Sequence, residues 1–184
     1  WYLAQREGAA AGGKLLQNRR LRACGRESVL AVLCRELVES GHGRVSESRC
    51  ARFLEGFQRV YVLELRELEL LREALCAALI GRLRRLCEPF PLAEQDAALS
   101  DALGRVFSSI RLLGGLDMRE LVENADRCEQ LLRRDPAGVY SEMDEATRLL
   151  YRRELERLAR HAGTQEHRLA RRVLELSENG QGEE

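Results

Sequence analysis

Residues 135–163 read Asp135-Pro136-Ala137-Gly138-Val139-Tyr140-Ser141-Glu142-Met143-Asp144-Glu145-Ala146-Thr147-Arg148-Leu149-Leu150-Tyr151-Arg152-Arg153-Glu154-Leu155-Glu156-Arg157-Leu158-Ala159-Arg160-His161-Ala162-Gly163. The residue before a proline avoids the α conformation, so a helix arriving from upstream stops at Asp135. Gly138 permits a left-handed or otherwise awkward turn. Ser141 or Asp144 then caps a new helix, because a short side-chain oxygen can accept a hydrogen bond from its free first-turn N–H groups. That helix runs from about Asp144 to His161, with Leu150, Leu155, Leu158 and Ala159 predicted to be buried and Tyr151 beside them. Gly163 ends it.

The same punctuation recurs along the chain. Val29, Leu30, Val32, Leu33, Leu37 and Val38 mark a helix over about 27–39, stopped by Gly41 and Gly43. Ser46 caps a second, carrying Cys50, Phe53, Leu54, Phe57 and Val60. Leucines 68, 71, 75, 79, 83 and 86 stripe a long helix over about 63–87, ended by Pro89 and Pro91. A fourth helix covers about 92–113, and Asp117 caps a fifth over 118–134. Thr164 caps a last one over about 165–177. No stretch alternates with period two, so the class is all-α, an antiparallel bundle of six or seven helices. Residues 1–26 are poorly patterned, a short helix at best followed by a loop. Trp1, Tyr2 and Leu3 read as the stub of a docking helix. Residues 27–178 are expected to form the bundle and 179–184 a polar tail.

Composition narrows the function. The 184 residues carry 30 basic and 30 acidic side chains, so no net positive charge supports phosphate-driven nucleic-acid binding. Arginine outnumbers lysine 29 to 1, Lys14 being the only lysine, which reads as GC-rich coding. Six cysteines (24, 34, 50, 76, 87 and 128) form no C-x-x-C pair and no zinc spacing with histidine; free buried thiols in a reducing compartment are expected. No apolar run approaches the roughly 18–20 residues of a membrane span. The start at Trp1 suggests a segment of a longer protein.

A catalytic constellation is not visible. There is no nucleophile elbow and no phosphate loop. His42 lies in a Gly-rich turn, His161 at a helix end favoured by the dipole, and His167 in a first turn. Two motifs are decoys. Gln130-Leu131-Leu132-Arg133-Arg134 approaches a glycosyltransferase Q-x-x-R-W motif without its tryptophan. The helix–Gly163–helix unit suggests helix-turn-helix, but from Asp144 to Glu178 eight arginines face seven acids.

The stretch Asp135-Pro136-Ala137-Gly138-Val139-Tyr140, Met143-Asp144, Ala146-Thr147-Arg148 and Tyr151-Arg152 resembles the cyclic β-1,2-glucan synthases, which carry a segment of the form DPAGVYxxMDFxTRDxYR. Ala170-Arg171-Arg172-Val173-Leu174, Gly43-Arg44-Val45, Arg52-Phe53-Leu54-Glu55-Gly56-Phe57-Gln58 and Leu65-Arg66-Glu67-Leu68 extend the likeness more diffusely over about 27–178. Glu145 stands where that pattern has Phe, Leu149 where it has Asp, and Leu150 where it has a polar residue.

The resemblance implies a helical, non-catalytic region of a very large enzyme on the cytoplasmic side of a bacterial inner membrane. Such an enzyme draws glucose from UDP-glucose, builds the chain on itself, trims it by phosphorolysis and closes it. This region would need no cofactor or metal, and its partners would be other domains of the same polypeptide and the growing β-1,2-glucan. Asp135, Pro136, Gly138, Asp144, Thr147, Arg148 and Arg152 are the family-like turn motif. Tyr140 and Tyr151 are candidate glucan-attachment phenols, each needing an external base at neutral pH. Tyr140, in the turn, is expected to be the better presented, against the plainer reading of a tyrosine packed over a helix end. The rival function is a free-standing helical interaction domain; a DNA-binding regulator is a more distant one.

Overall fold

The computed structural model describes residues 2–17, 21–88 and 97–180. Trp1, Pro89, Pro91, the start of the helix expected from residue 92 and residues 181–184 lie outside them. Eleven helices and one pair of two-residue strands make up the described chain, so it is mainly α-helical. It divides into two compact units, Trp1–Phe53 with Glu69–Leu121, and Leu54–Leu68 with Val122–Glu184. This replaces the expected single bundle of six or seven helices over 27–178. Among the described residues no helix is long and apolar enough to cross a membrane.

The first unit is arranged around α5, Leu71–Cys87. Leu71, Leu75, Leu79 and Leu83 recur every four residues and are all buried, as the stripe predicts. Packed against α5 are α1 (Tyr2–Gln17), α2 (Val29–Ser40) and α6 (Ala97–Gly115). The existence of α1 corrects the reading of residues 1–26. Its Ala- and Gly-rich sequence offers little apolar contrast, and packing on α5 supplies what propensity does not. Gly8 lies so close to α5 that a Cβ there would meet Ile80 Cδ1 at 3.0 Å. A two-residue antiparallel pair, Ala23–Cys24 (β1) with Glu27–Ser28 (β2), follows. Ser28 then caps α2 by accepting from Ala31 N at 3.1 Å.

Polar side chains tie the helix ends of this unit. Ser109 Oγ donates to Gly43 O at 2.7 Å and accepts from Val45 N at 2.9 Å, fixing the 41–45 turn onto α6. Arg72 reaches the C-terminal end of α6, donating to Leu113 O and to Leu116 O. Glu73 is buried and paired with Lys14.

The second unit contains the end of α3 (Glu47–Phe57), most of α4 (Leu65–Glu69), the end of α7 (Met118–Ala125), α8 (Arg127–Leu132), α9 (Val139–Glu142), α10 (Glu145–His161) and α11 (Glu166–Gly180). Ser46 Oγ accepts from Arg49 N, so the expected cap of α3 holds. Helix α11 starts one residue later than expected and runs on through part of the expected polar tail. Cys128, Leu155 and Ala170 form an apolar cluster, with Leu131, Leu132 and Leu169 against it.

Two expected long helices are broken. The 63–87 helix breaks at Leu70, whose φ of −96° and ψ of 5° lie in the bridge region. The 118–134 helix breaks at Asp126, whose φ of −73° and ψ of 102° are extended. Asp126 Oδ1 accepts from Cys128 N at 2.9 Å and from Glu129 N at 3.1 Å, restarting the helix as an N-cap. The six cysteines are free. Cys34, Cys50, Cys76 and Cys128 are buried as expected, whereas Cys24 and Cys87 are exposed.

Candidate functional site

The singled-out residues 135–152 lie in the second unit, and the structure shows what each holds. Asp135 Oδ1 accepts from Ala137 N at 3.1 Å, and its Oδ2 accepts from Val139 N at 3.0 Å and Tyr140 N at 3.3 Å. One carboxylate thus closes the turn and satisfies the start of α9. Gly138 takes the left-handed conformation, φ 69°, that its position predicts. Of the two candidate caps for α10, Asp144 is the one used. Its Oδ1 accepts from Thr147 N at 3.0 Å and its Oδ2 from Thr147 Oγ1 at 2.6 Å. The Thr147 hydroxyl, with the backbone N–H groups, holds the Asp144 carboxyl below its usual range.

Arg152 is the centre of the site. Its Nη2 donates to Asp126 Oδ2 at 2.8 Å, Asp126 Oδ1 at 3.1 Å and Glu166 Oε2 at 3.3 Å, while Nε donates to Asp126 Oδ2 at 3.2 Å. All three side chains are more than nine-tenths buried. One guanidinium therefore joins the cap of α8, the body of α10 and the first residue of α11. Glu166 Oε2 also accepts from Leu65 N at 3.1 Å, adding the start of α4. Gln58 bridges a further pair, donating to Ala125 O at 2.6 Å and accepting from Leu63 N at 3.3 Å.

The charge balance of this cluster is uneven. Burial disfavours the Arg152 charge, but Asp126, Cys128 and Glu166 outweigh it and push its pKa up. Asp126 takes the larger share of the guanidinium fork and also caps α8. Glu166 has the weaker share. Burial raises its pKa to about 7, against the pull of Arg152 and the Leu65 N–H. Its Oε1 is buried with no hydrogen-bond partner, so the ionised form is incompletely solvated.

Tyr140 is 5 % exposed, so of its two readings it takes the plainer one, a packed tyrosine and not a presented phenol. Its hydroxyl donates to Glu129 Oε2 at 2.7 Å. Burial first, and then the Glu129 hydrogen bond and charge, push the phenol well above its usual pKa. Glu129 also receives Arg133 at 2.9 Å and Arg148 at 3.3 Å, and Arg148 donates to Met143 O at 2.8 Å. Tyr151 is 55 % exposed, with its ring edge-on to Tyr140 at 6.4 Å. Of the two tyrosines, Tyr151 on α10 is the accessible one.

Helix α10 also corrects its expected face. Leu155 and Ala159 are buried, but Leu150 is 70 % and Leu158 44 % exposed. Arg152 and Glu156 take the inward positions instead. At about 100° per residue, 152, 155, 156 and 159 share one arc of about 100°, and Leu150 lies roughly opposite it. Glu156 is held there by Arg66 and Arg160.

Asp126, Glu129, Glu156 and Glu166 are not singled out in the sequence, because charges on a helix usually face water. The spacing Asp126-x-x-Glu129 is a capping signal that could have marked the first two. Among the described residues, no group of three or more His, Cys, Asp or Glu side chains could hold a metal ion. His161 ends α10 and His167 lies in the first turn of α11. No family model, no curated protein and no solved structure matches this chain.

Proposed function

We propose that this chain is a helical scaffolding module of a larger protein resembling the cyclic β-1,2-glucan synthases. In this reading it positions the glycosyltransferase and phosphorylase modules of the same polypeptide, and the glucan tethered to that polypeptide, on the cytoplasmic side of a bacterial inner membrane. UDP-glucose serves the transferase module, and this module makes no bond itself. The observation that carries the reading is the use of the motif's polar side chains. Asp135, Asp144, Thr147, Arg148 and Arg152 are all bonded within the second unit, to helix ends or to buried carboxylates. A motif whose polar groups are engaged in this way specifies a rigid shape.

A scaffold also needs a face to dock on. Leu150, Tyr151 and Leu158 on α10, and Val173 and Leu176 on α11, are exposed apolar side chains. Leu150 stands where the resembled pattern has a polar residue, which fits a contact with a neighbouring module rebuilt in this chain.

The test is made in the full-length polypeptide. Leu150→Asp with Leu158→Asp is expected to leave the helicity of the isolated chain unchanged while lowering β-1,2-glucan output from UDP-glucose. Wild-type output from the double variant, or a parent that makes no β-1,2-glucan, contradicts the reading and favours a free-standing interaction domain.

A further inference from the structure

The second unit contains a cavity of about 490 Å³ whose lining has one sign of charge. The loop between α3 and α4 contributes Arg59, α8 contributes Arg127, Arg134 follows just after α8, and α11 contributes Arg168 and Arg171. No Asp or Glu lines it, although acids and bases balance 30 to 30 over the chain. A cleft lined by one sign focuses its field and concentrates counter-ions.

Helix polarity adds to the positive field of the lining. Arg168 lies in the first turn of a 15-residue helix, beside the positive end of the helix dipole, where acids are preferred. Arg127 donates to the neutral Gln130 at 2.9 Å, and Arg59 has Glu55 at 3.2 Å on the exposed surface. The side chains of Arg134, Arg168 and Arg171 have no carboxylate partner among the described residues, whereas the neighbouring Arg133 pairs with Glu129 and Arg172 with Glu175. Guanidinium forks match phosphate oxygens in pairs. A cavity of this size holds a ligand on the scale of a nucleotide or smaller.

We infer that this cavity is a binding site for a small, multiply charged phosphate compound, either a pyrophosphate or a phosphate ester. The inference stands apart from the scaffold reading, since the cavity shares no side chain with the Asp126–Arg152–Glu166 cluster or with the exposed α10 face. Loss of phosphate binding would leave the glucan-output test untouched.

The full chain is titrated with inorganic pyrophosphate by calorimetry at about 0.05 M and about 0.2 M salt, ionic strengths that bracket the physiological Debye length. One site is expected, with a Kd of about 1 mM or tighter at the lower salt, weakening at the higher. Arg134→Gln combined with Arg171→Gln is expected to weaken it by about tenfold or more. Arg111→Gln, which does not line the cavity, should leave it unchanged. Titration with ADP and with AMP separates a site for pyrophosphate from one for a phosphate ester. If the double variant fails to fold, protection by pyrophosphate of Arg168 and Arg171 from phenylglyoxal in the wild-type chain gives the same answer. Absence of saturable binding, insensitivity to both substitutions, lack of protection, or tighter binding of duplex DNA than of pyrophosphate overturns the inference.

Discussion

Replacing Arg152 with methionine keeps most of the volume of the side chain and removes its charge. It leaves Asp126 and Glu166, both more than nine-tenths buried, without their shared counter-charge. Removing one partner of a buried ion pair costs about 3–5 kcal/mol, because the other charge stays desolvated. Asp126 keeps its two cap bonds at 2.9 and 3.1 Å, and Glu166 keeps the Leu65 N–H at 3.1 Å, which places the expected loss at the lower end, about 3 kcal/mol. A domain has about 5–15 kcal/mol in total, so this is a large fraction. Urea unfolding followed by far-UV circular dichroism measures the loss, and hydrogen exchange of α8, α10 and α11 locates it. Adding Glu166→Gln to the variant should restore about 1 kcal/mol or more, since one uncompensated charge is gone. A loss below about 1 kcal/mol, or faster exchange elsewhere only, would refute the central place given to Arg152.

Glu166 makes stability depend on pH. Its carboxyl has a folded-state pKa of about 7 against an ordinary 4.5, so the folded chain holds a proton that the unfolded chain releases between those values. The contribution is fully present below about pH 4.5 and is lost as pH rises through about 7. Glu166→Gln is therefore expected to stabilise the chain at pH 8, by up to about 3 kcal/mol, and to change little at pH 4.5; equal effects at both values would rule this out. Tyr140→Phe removes the 2.7 Å bond to Glu129 and should cost about 1–3 kcal/mol in the same urea assay, while Tyr151→Phe stays within about 0.5 kcal/mol; the opposite order would show that Tyr140 is not buried. A chromogenic disulfide reagent should label Cys24 and Cys87 rapidly in the native chain. Cys34, Cys50, Cys76 and Cys128 should react only on unfolding, and burial raises the pKa of Cys50 to about 11 and of Cys128 to about 12.

Much of the local structure was written in residue types. Ser46, Gly138 and Asp144 act in the turns and caps that their chemistry suggests, and the leucine stripe of α5 is core from Leu71 to Leu83. What was not legible is the part set by tertiary contact. Nothing in Leu68-Glu69-Leu70-Leu71 marks a break: Leu70 leaves the helical conformation with no glycine or proline to signal it. Residues 1–26 look poorly patterned until α5 is there for α1 to pack on. The polar core was hidden by a sound rule: charges on a helix usually face water. Arg152 and Glu156 break that rule on α10 and displace Leu150 and Leu158 to the surface. The candidate motif itself was visible in the sequence, but the partners that give it meaning come from two other helices: Asp126 and Glu129 from α8 and its cap, and Glu166 from α11.

In the proposed scaffold, residues 135–152 hold helices together and do not react. Peptide mass spectrometry of the full-length polypeptide during turnover of UDP-glucose addresses this claim most directly, read at the peptides containing Tyr140 and Tyr151. Both peptides are expected at their unmodified masses while glucan accumulates. Hexose-sized increments on either tyrosine would contradict the claim and make this segment a carrier of the growing chain.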